Sequence, residues 1–164
     1  MGLVVDVAMK YIGYPSMKYQ SPNIGNNPSA FDCSGFIQWV LNETGIVIPN
    51  IPGFNRKVRH SEEFFDYFGI LIHEEFIKEG DLIFFSRNGS RPTHIGFYLS
   101  TRQIIHSPGI NGSFVEVKNL DDYLQERPLV FDPRTEYEQI YYRNPIGFKR
   151  IAQQTKDRFQ RITK

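Results

Sequence analysis

The sequence predicts a single α+β domain in which helices come first and an antiparallel sheet of about five or six strands follows. Apolar residues recur at three- and four-residue spacing in the first part of the chain, which is typical of amphipathic helices. Later they form short runs separated by Gly, Asn, Ser and Pro, which is typical of successive antiparallel strands. The 164 residues are 40% hydrophobic and 23% charged, and this length and composition suit one buried core. We therefore interpret residues 1–164 as one domain.

The first part of the chain is predicted to be helical except for one long loop. Apolar spacing in residues 3–12 predicts the first helix. Residues 15–30 are rich in Ser, Pro, Asn and Gly and predict a long irregular loop. Asp32 stands where an N-cap belongs, and the apolar stripe after it predicts a helix that ends at Gly45. Ser61 is placed to cap a third, short helix.

The second part of the chain is predicted to form the sheet. Strands are expected where β-branched and aromatic residues cluster, at residues 82–85, 95–99, 103–106 and 114–117. Residues 120–127 are expected to form a short helix, and residues 146–151 a last strand that closes the sheet. The polar residues 152–164 are interpreted as a solvated tail.

Charge and composition narrow the function classes. The chain has 19 Lys and Arg against 18 Asp and Glu, a net charge of +1, which does not favour nucleic acid or an anionic membrane surface as the main partner. No apolar run is long enough for a membrane span, and no signal peptide is visible. The single cysteine excludes an intrachain disulfide. We expect a monomer, and both a cell-wall and a cytoplasmic location stay open, since an exported protein cleaved from its signal would have the same sequence pattern.

Cys33 is the first candidate for chemistry because it follows the predicted N-cap Asp32. Free N–H groups and the dipole at a helix N-terminus stabilise a thiolate, so this position predicts a lowered pKa for the Cys33 thiol. His94 precedes a predicted strand and is the candidate base. His106, on the next predicted strand, is placed to orient His94 through a hydrogen bond. These residues predict a Cys-His-His site for nucleophilic catalysis.

Two other interpretations fit the same three residues. A buried cysteine is commonly a small core residue, and strand histidines are commonly held by ordinary hydrogen bonds, so spacing alone does not exclude a structural role. One cysteine and two histidines would also suit an open zinc site. The chain lacks the close-spaced ligand pairs typical of such sites, however, and we expect neither a metal nor another cofactor.

Ordered blocks of sequence add a resemblance to a known family. The blocks are FDCSGFIQ at 31–38, GDLIFF at 80–85, THIGFYL at 93–99 and IIHSPG at 104–109. In this order they resemble the signature of NlpC-type cell-wall cysteine peptidases. The similarity covers residues 4–117 and resumes at 147–151.

The resemblance implies a papain-like fold in which the helix bearing the cysteine packs on the sheet bearing the histidines. It implies that Cys33 is the nucleophile, that His94 is the general base and then the acid, and that His106 orients His94. Three further residues are implied to contact the oxyanion or the substrate, namely Tyr19, Asp32 and Ser34. Of these, Tyr19 is expected at the oxyanion and Asp32 at a substrate amine.

The implied substrate is the stem peptide of peptidoglycan, cut after a D-isoglutamyl residue. Three departures from the family pattern touch the expected cleft: Gln20–Asn23 after Tyr19, Asn50–Pro52 where the family commonly has Arg, Thr and Ser, and residues 123–147, which resemble an insertion. Two alternatives therefore stay open. One is a thiol-dependent amidase, transacylase or toxin-like enzyme that acts on another acyl substrate, and the other is a catalytically silent binding module of the same fold.

Overall fold

The computed structural model describes residues 2–87, 89–126, 129–132, 137–140 and 144–151. The helices in these residues are α1 (Gly2–Met9), α2 (Cys33–Glu43), α3 (Ser61–Tyr67) and α4 (Leu120–Gln125), with a 3-10 turn at Glu74–Phe76. The strands are β1 (Asn26–Asn27), β2 (Ala30–Phe31), β3 (Ile70–Ile72), β4 (Leu82–Ser86), β5 (His94–Tyr98), β6 (Gln103–His106), β7 (Glu116–Asn119), β8 (Leu129–Asp132), β9 (Tyr137–Ile140) and β10 (Asn144–Arg150). The predicted tail at 152–164 lies outside the described residues, as do parts of the predicted insertion.

The main sheet has six antiparallel strands in the order β3-β10-β4-β5-β6-β7. This confirms the predicted α+β class and the predicted number of strands. The predicted last strand also exists, but it lies inside the sheet, between β3 and β4, and does not close it at an edge. β8 and β9 pair separately with each other.

Both faces of the sheet are covered, which explains why β4 is buried at all five of its positions. On one face, Phe97 of β5 packs on Phe36 of α2, with ring centroids 6.1 Å apart. On the other face, Phe85 of β4 packs on Tyr123 of α4, with centroids 4.9 Å apart. Full burial of one such phenylalanine stabilises the fold by about 1.5–3 kcal/mol. α2 and α4 are thus held on the sheet by aromatic contacts.

The first helix is shorter than its apolar spacing predicts. α1 ends at Met9, and the next N–H groups bond three residues back, from Lys10 to Val7 at 3.2 Å and from Tyr11 to Ala8 at 3.1 Å. Gly13 then donates to the Val115 carbonyl at 2.8 Å, which draws the chain toward β7. A tertiary hydrogen bond therefore replaces the last helical turn.

α3 exists as predicted, but Ser61 is not its cap. The N-cap is His60, and the Ser61 hydroxyl donates to the Pro92 carbonyl at 3.3 Å. The Glu63 carboxylate accepts the backbone N–H groups of His60 and Arg59, at 3.1 and 2.9 Å. The start of the helix moves by one residue because a glutamate satisfies the free N–H groups from inside the first turn.

Long-range pairing changed two other predicted segments. The predicted loop at 15–30 contains the short pair β1–β2, which ends directly before Asp32. The predicted strand at 114–117 begins only at Glu116, because Phe114 bridges to Pro15 and Val115 donates to Tyr14 instead. The edge strand β3 was not predicted, since three consecutive apolar residues show no strand alternation.

A membrane-spanning helix is not found in the part of the chain that the structure describes, because none of its helices is long and apolar enough to cross a bilayer.

Candidate active site

The N-terminus of α2 is built around Asp32, as the sequence predicts. Asp32 has an extended backbone, and its carboxylate accepts the Gly35 N–H at 2.7 Å, so the helix begins at Cys33. The Gly25 carbonyl accepts the Asp32 N–H at 2.8 Å. A Cβ on Gly35 would lie 1.8 Å from this same carbonyl oxygen, so only glycine allows the loop to come this close.

A buried ion pair stabilises this helix start. Arg59 and Asp32 have side chains that are 2% and 1% exposed and are joined by two hydrogen bonds of 3.0 and 2.6 Å. The guanidinium also donates to the Ser34 hydroxyl and to the carbonyls of Pro22 and Ile24, so all five of its N–H groups are used. Asp32 and Ser34, both predicted to contact substrate, are therefore engaged by an arginine.

Cys33 is half-buried at the first position of α2. Burial raises the pKa of its thiol to about 12, and the negative charge of Asp32 adds to the rise. Backbone N–H groups of Ile95 and Ser34 at the sulfur oppose the rise, with a smaller contribution from Arg59. The expected lowering of the pKa is therefore wrong, because desolvation and the neighbouring carboxylate outweigh the helix N-terminus.

The structure brings His94 and His106 together. Their rings are 1% and 0% exposed, and Nε2 of His94 lies 2.7 Å from Nδ1 of His106. His94 opens β5, and the next residue, Ile95, is the one whose N–H points to the Cys33 sulfur. The two histidines are therefore paired in the structure, and the start of β5 contacts the Cys33 sulfur through the Ile95 N–H.

Glu116 contacts the histidine pair through His106, a contact that was not predicted from the sequence. It lies opposite His106 in the β6–β7 register, and its Oε2 is 3.0 Å from His106 Nε2. The hydrogen bond to His106 is the main cause of a lowered pKa for the Glu116 carboxyl. In the sequence, Glu116 is only a charged residue in a predicted strand. Charged residues are common on the exposed face of a strand, so nothing singled it out.

Tyr123 covers the two histidines from α4. Its ring is stacked on His94, with centroids 5.8 Å apart and an interplanar angle of 27°, and it meets His106 edge-on at 5.0 Å. Tyr123 is 2% exposed. The first residue of the predicted insertion is thus part of the packing around the candidate site.

Tyr19 lies at the rim and is 38% exposed. Its hydroxyl is 3.1 Å from Nε2 of His60, and the Arg59 guanidinium lies 5.6 Å from the centre of its ring. Burial raises the pKa of the Tyr19 phenol, so it is protonated at neutral pH and able to donate a hydrogen bond. Its described partners are therefore His60 and Arg59, and Arg59 is the residue that binds Asp32.

The segment 107–109, directly after β6, forms a wall that packs against Cys33. A Cβ on Gly109 would lie 3.8 Å from the Cys33 nitrogen and 3.9 Å from its Cβ. The position of Gly109 is fixed by its N–H, which donates to the Ser16 hydroxyl at 2.8 Å, and Ser16 in turn bonds Ser107 at 2.5 Å. Because Ser16 and Ser107 are buried, these hydrogen bonds give the wall a defined place.

Among the residues whose side chains are described, no group of three or more His, Cys, Asp or Glu is arranged to hold a metal ion.

The comparisons with known proteins identify the family. The model of the NlpC/P60 family matches residues 23–132, more than half of the chain. The chain belongs to the NlpC/P60 family. The matched part contains α2, the histidine-bearing strands and Glu116, so the candidate site lies inside the family domain.

Individual relatives agree with this assignment. The chain is 29% identical over 143 residues to the gamma-DL-glutamyl hydrolase of Bacillus subtilis (strain 168), a match that covers 81% of this chain and 31% of the relative. It is 35% identical over 83 residues to the probable endopeptidase p60 of Listeria innocua, covering 51% of this chain and 15% of that protein. The chain therefore spans less than a third of the length of either curated relative.

A solved structure supports the fold. The NlpC/p60 domain of the peptidoglycan hydrolase SagA superposes with a TM-score of 0.56 at 31% identity, covering 74% of this chain and 91% of that domain. The papain-like architecture implied by the sequence is thereby confirmed, as is the resemblance to cell-wall peptidases.

Within this NlpC/P60 domain, sequence reasoning missed Arg59, Glu116 and Tyr123. Arg59 had one usable signal: the family's arginine was expected directly after Pro49, where Asn50–Pro52 stand, and an arginine occurs further along. The other two had none, because their importance comes from contacts with His94 and His106 across the sheet.

Proposed function

We propose that this chain is a cysteine peptidase that hydrolyses an amide bond in peptidoglycan stem peptides, after a D-isoglutamyl residue and before a diamino acid. The supporting observation is the hydrogen-bonded pair of buried imidazoles on β5 and β6, together with a half-buried cysteine at a helix start whose sulfur meets the N–H of Ile95, the residue after His94. The names of the relatives, a gamma-DL-glutamyl hydrolase and an endopeptidase, fit a glutamyl amide as substrate.

In the proposed mechanism, Cys33 attacks the amide carbonyl and His94 takes the thiol proton on Nδ1, since its Nε2 faces His106. With a thiol pKa of about 12, proton transfer accompanies attack and does not precede it. The Cys33 N–H and the Tyr19 hydroxyl stabilise the oxyanion. His94 then protonates the leaving amine, and water activated by His94 hydrolyses the thioester.

The predicted substrate contacts fall into two groups. Tyr19 is at the rim, with a protonated hydroxyl, and suits contact with the oxyanion or the substrate. Asp32 and Ser34 bind Arg59 and support the start of α2. We propose that Asp32 and Ser34 border the pocket and shape it, while Tyr19 meets the ligand.

The test is release of new amino groups from purified stem-peptide fragments, followed by mass spectrometry of the products. The wild-type chain should cleave at the D-isoglutamyl bond, and Cys33→Ala and His94→Ala should reduce turnover by at least about a thousandfold. His73→Ala is the matched control, because His73 is an exposed histidine far along the chain from these residues and should leave turnover unchanged. Full activity of Cys33→Ala would exclude thiol chemistry.

One observation favours a second candidate, an amidase or transacylase on another acyl group. Asp32 has both carboxylate oxygens occupied by Arg59, so a free substrate amine would have to compete with a bidentate ion pair. Trapping of thioesters on Cys33 with a panel of acyl donors, including esters and amides without a free amine, would separate the two enzymes.

The raised thiol pKa gives a silent binding module its own support, because a neutral thiol is a weak nucleophile. Such a module would bind stem peptides equally well in the wild-type chain and in Cys33→Ala, without turnover in either. Turnover by the wild-type chain excludes it.

A further inference from the structure

Three side chains on β5, β6 and β7 are joined in series by hydrogen bonds. Nε2 of His94 meets Nδ1 of His106 at 2.7 Å, and Nε2 of His106 meets the Glu116 carboxylate at 3.0 Å. Both rings are buried, whereas the Glu116 side chain is 41% exposed. The row therefore runs from two buried imidazoles to a carboxylate that solvent can reach.

The chemistry of these groups determines which nitrogens carry protons. An ionised carboxylate only accepts hydrogen bonds, so Nε2 of His106 must donate to Glu116. A neutral His106 then has an accepting Nδ1, and Nε2 of His94 must donate to it. Nδ1 of His94 is thereby the unprotonated nitrogen. The opposite arrangement would place a ring lone pair against the carboxylate.

We propose that Glu116 is a positioning residue that, through His106, holds His94 in the tautomer whose Nδ1 accepts the Cys33 proton. This inference rests on the proposed function of Cys33 and His94. When the Cys33 S–H bond breaks, its proton moves to Nδ1 of His94 and the electron pair stays on sulfur. The resulting imidazolium keeps its Nε2–H bond to His106, and no proton reaches Glu116.

The surrounding charges fit this assignment. Besides His106, Glu116 is influenced by Lys118, which lowers its pKa, and by Glu126, which raises it. Lys118 and Glu126 form an ion pair with each other. The rings of Phe85 and Tyr123 also face the imidazoles. Glu116 is thus in direct contact with His106, and its lowered pKa keeps it ionised at neutral pH.

The arrangement also predicts how acid stops the reaction. If His106 gains a second proton, its Nδ1 becomes a donor and Nε2 of His94 must accept. His94 then carries its proton on Nδ1 and no longer serves as a base. Activity should therefore fall on the acid side as the His106–Glu116 pair takes up a proton, and this part of the pH profile should depend on Glu116.

Glu116→Gln and Glu116→Ala test the proposal, with Glu43→Gln as the matched control. Glu43 is a partly buried, ion-paired glutamate with a lowered pKa at the opposite end of α2 from Cys33. On stem-peptide fragments between about pH 5 and pH 9, both Glu116 variants should lose about 10–100-fold in kcat, with KM little changed and the acid limb moved. Acetate should partly restore Glu116→Ala, because the site is half exposed. Glu43→Gln should behave as wild type.

A second measurement needs no substrate. In the 15N-labelled wild-type chain at neutral pH, NMR should find the proton on Nε2 in both His94 and His106, with signals assigned from single His→Ala variants. A proton on Nδ1 of His106, or Glu116 variants with wild-type kcat and pH profile, would overturn the proposal. If stem peptides are not cleaved at all while both rings carry Nε2–H, the proposed substrate fails and the role of Glu116 stands.

Discussion

At the scale of single residues, the Cys33 thiol is protonated at neutral pH because of its immediate surroundings. Burial and Asp32 raise its pKa to about 12, and the N–H groups of Ile95 and Ser34 only partly compensate. In the proposed mechanism the nucleophile is therefore formed during attack, with His94 as the base. A chain with this property depends on the correct tautomer of His94 more than a chain with a preformed thiolate does.

Alkylation measures this pKa directly. Since Cys33 is the only cysteine, mass spectrometry with a small haloacetamide reports on one site. At neutral pH the folded chain should react more slowly than the urea-unfolded chain, whose cysteine has a pKa of about 8.5. The alkylation rate of the folded chain should rise about tenfold per pH unit above neutrality, because the fraction of Cys33 present as thiolate rises about tenfold per pH unit. A rate that is already level near neutral pH would mean a preformed thiolate and would contradict the raised pKa.

Arg59 offers a prediction about stability. Arg59→Ala leaves the Asp32 carboxylate buried without its partner, and we expect the free energy of unfolding to fall by about 3–5 kcal/mol. Arg102→Ala is the control, because its pair with Asp121 is half exposed and should change stability by no more than about 1 kcal/mol. Urea denaturation measures both. Equal effects of the two variants would show that the Arg59–Asp32 pair is not a buried support of α2.

At the scale of elements, five helices and strands position the candidate site. α2 presents Cys33 at its first residue, β5 and β6 hold one histidine each, and α4 covers the histidines with Tyr123. β7 adds Glu116 through its register with β6. No single element contains two of the interacting groups, so their geometry depends on how the helices pack on the sheet.

The contribution of α4 to the candidate site can be tested by substituting Tyr123. Tyr123→Ala removes the ring that packs on both histidines, and we expect a loss of about 3–5 kcal/mol in stability and at least a tenfold loss of kcat. Tyr123→Phe keeps the ring and should lose much less of both. Leu124 lies on the same helix and packs against the apolar cluster that contains Tyr123 and Phe85. Leu124→Ala should therefore reduce stability with little change in kcat. If Leu124→Ala lowers kcat as much as Tyr123→Ala does, α4 acts only through general stability.

At the scale of the whole molecule, the end of the chain returns to the middle of the sheet. β10 lies between β3 and β4, bonds to both, and carries Arg150, whose guanidinium makes two 3.0 Å hydrogen bonds to the buried Asp81. A strand in this place belongs to the core architecture, although its first residues overlap the predicted insertion at 123–147.

Two truncations test this topology. A chain that ends at residue 143 lacks β10, which would leave β3 without its partner and expose an edge of β4, so we expect no cooperative thermal unfolding. A chain that ends at Ile151 keeps all six strands and should melt within about 2–4 °C of the full chain. Circular dichroism follows both. A folded 1–143 chain would contradict the interior position of β10, and an unfolded 1–151 chain would show that residues 152–164 are more than a solvated tail.

The sequence by itself determined the local features of this protein. The cap at Asp32 and the apolar stripe placed α2 to its first residue, and β6 was predicted with its observed bounds, because capping and strand alternation act between residues close in the chain. The same reasoning singled out Cys33, His94 and His106. Only the tertiary structure decided their partners and the raised pKa of the thiol. Arg59 meets Asp32, Glu116 meets His106 and Tyr123 meets both rings through contacts distant in sequence, and the thiol pKa follows from desolvation by atoms that only folding brings together.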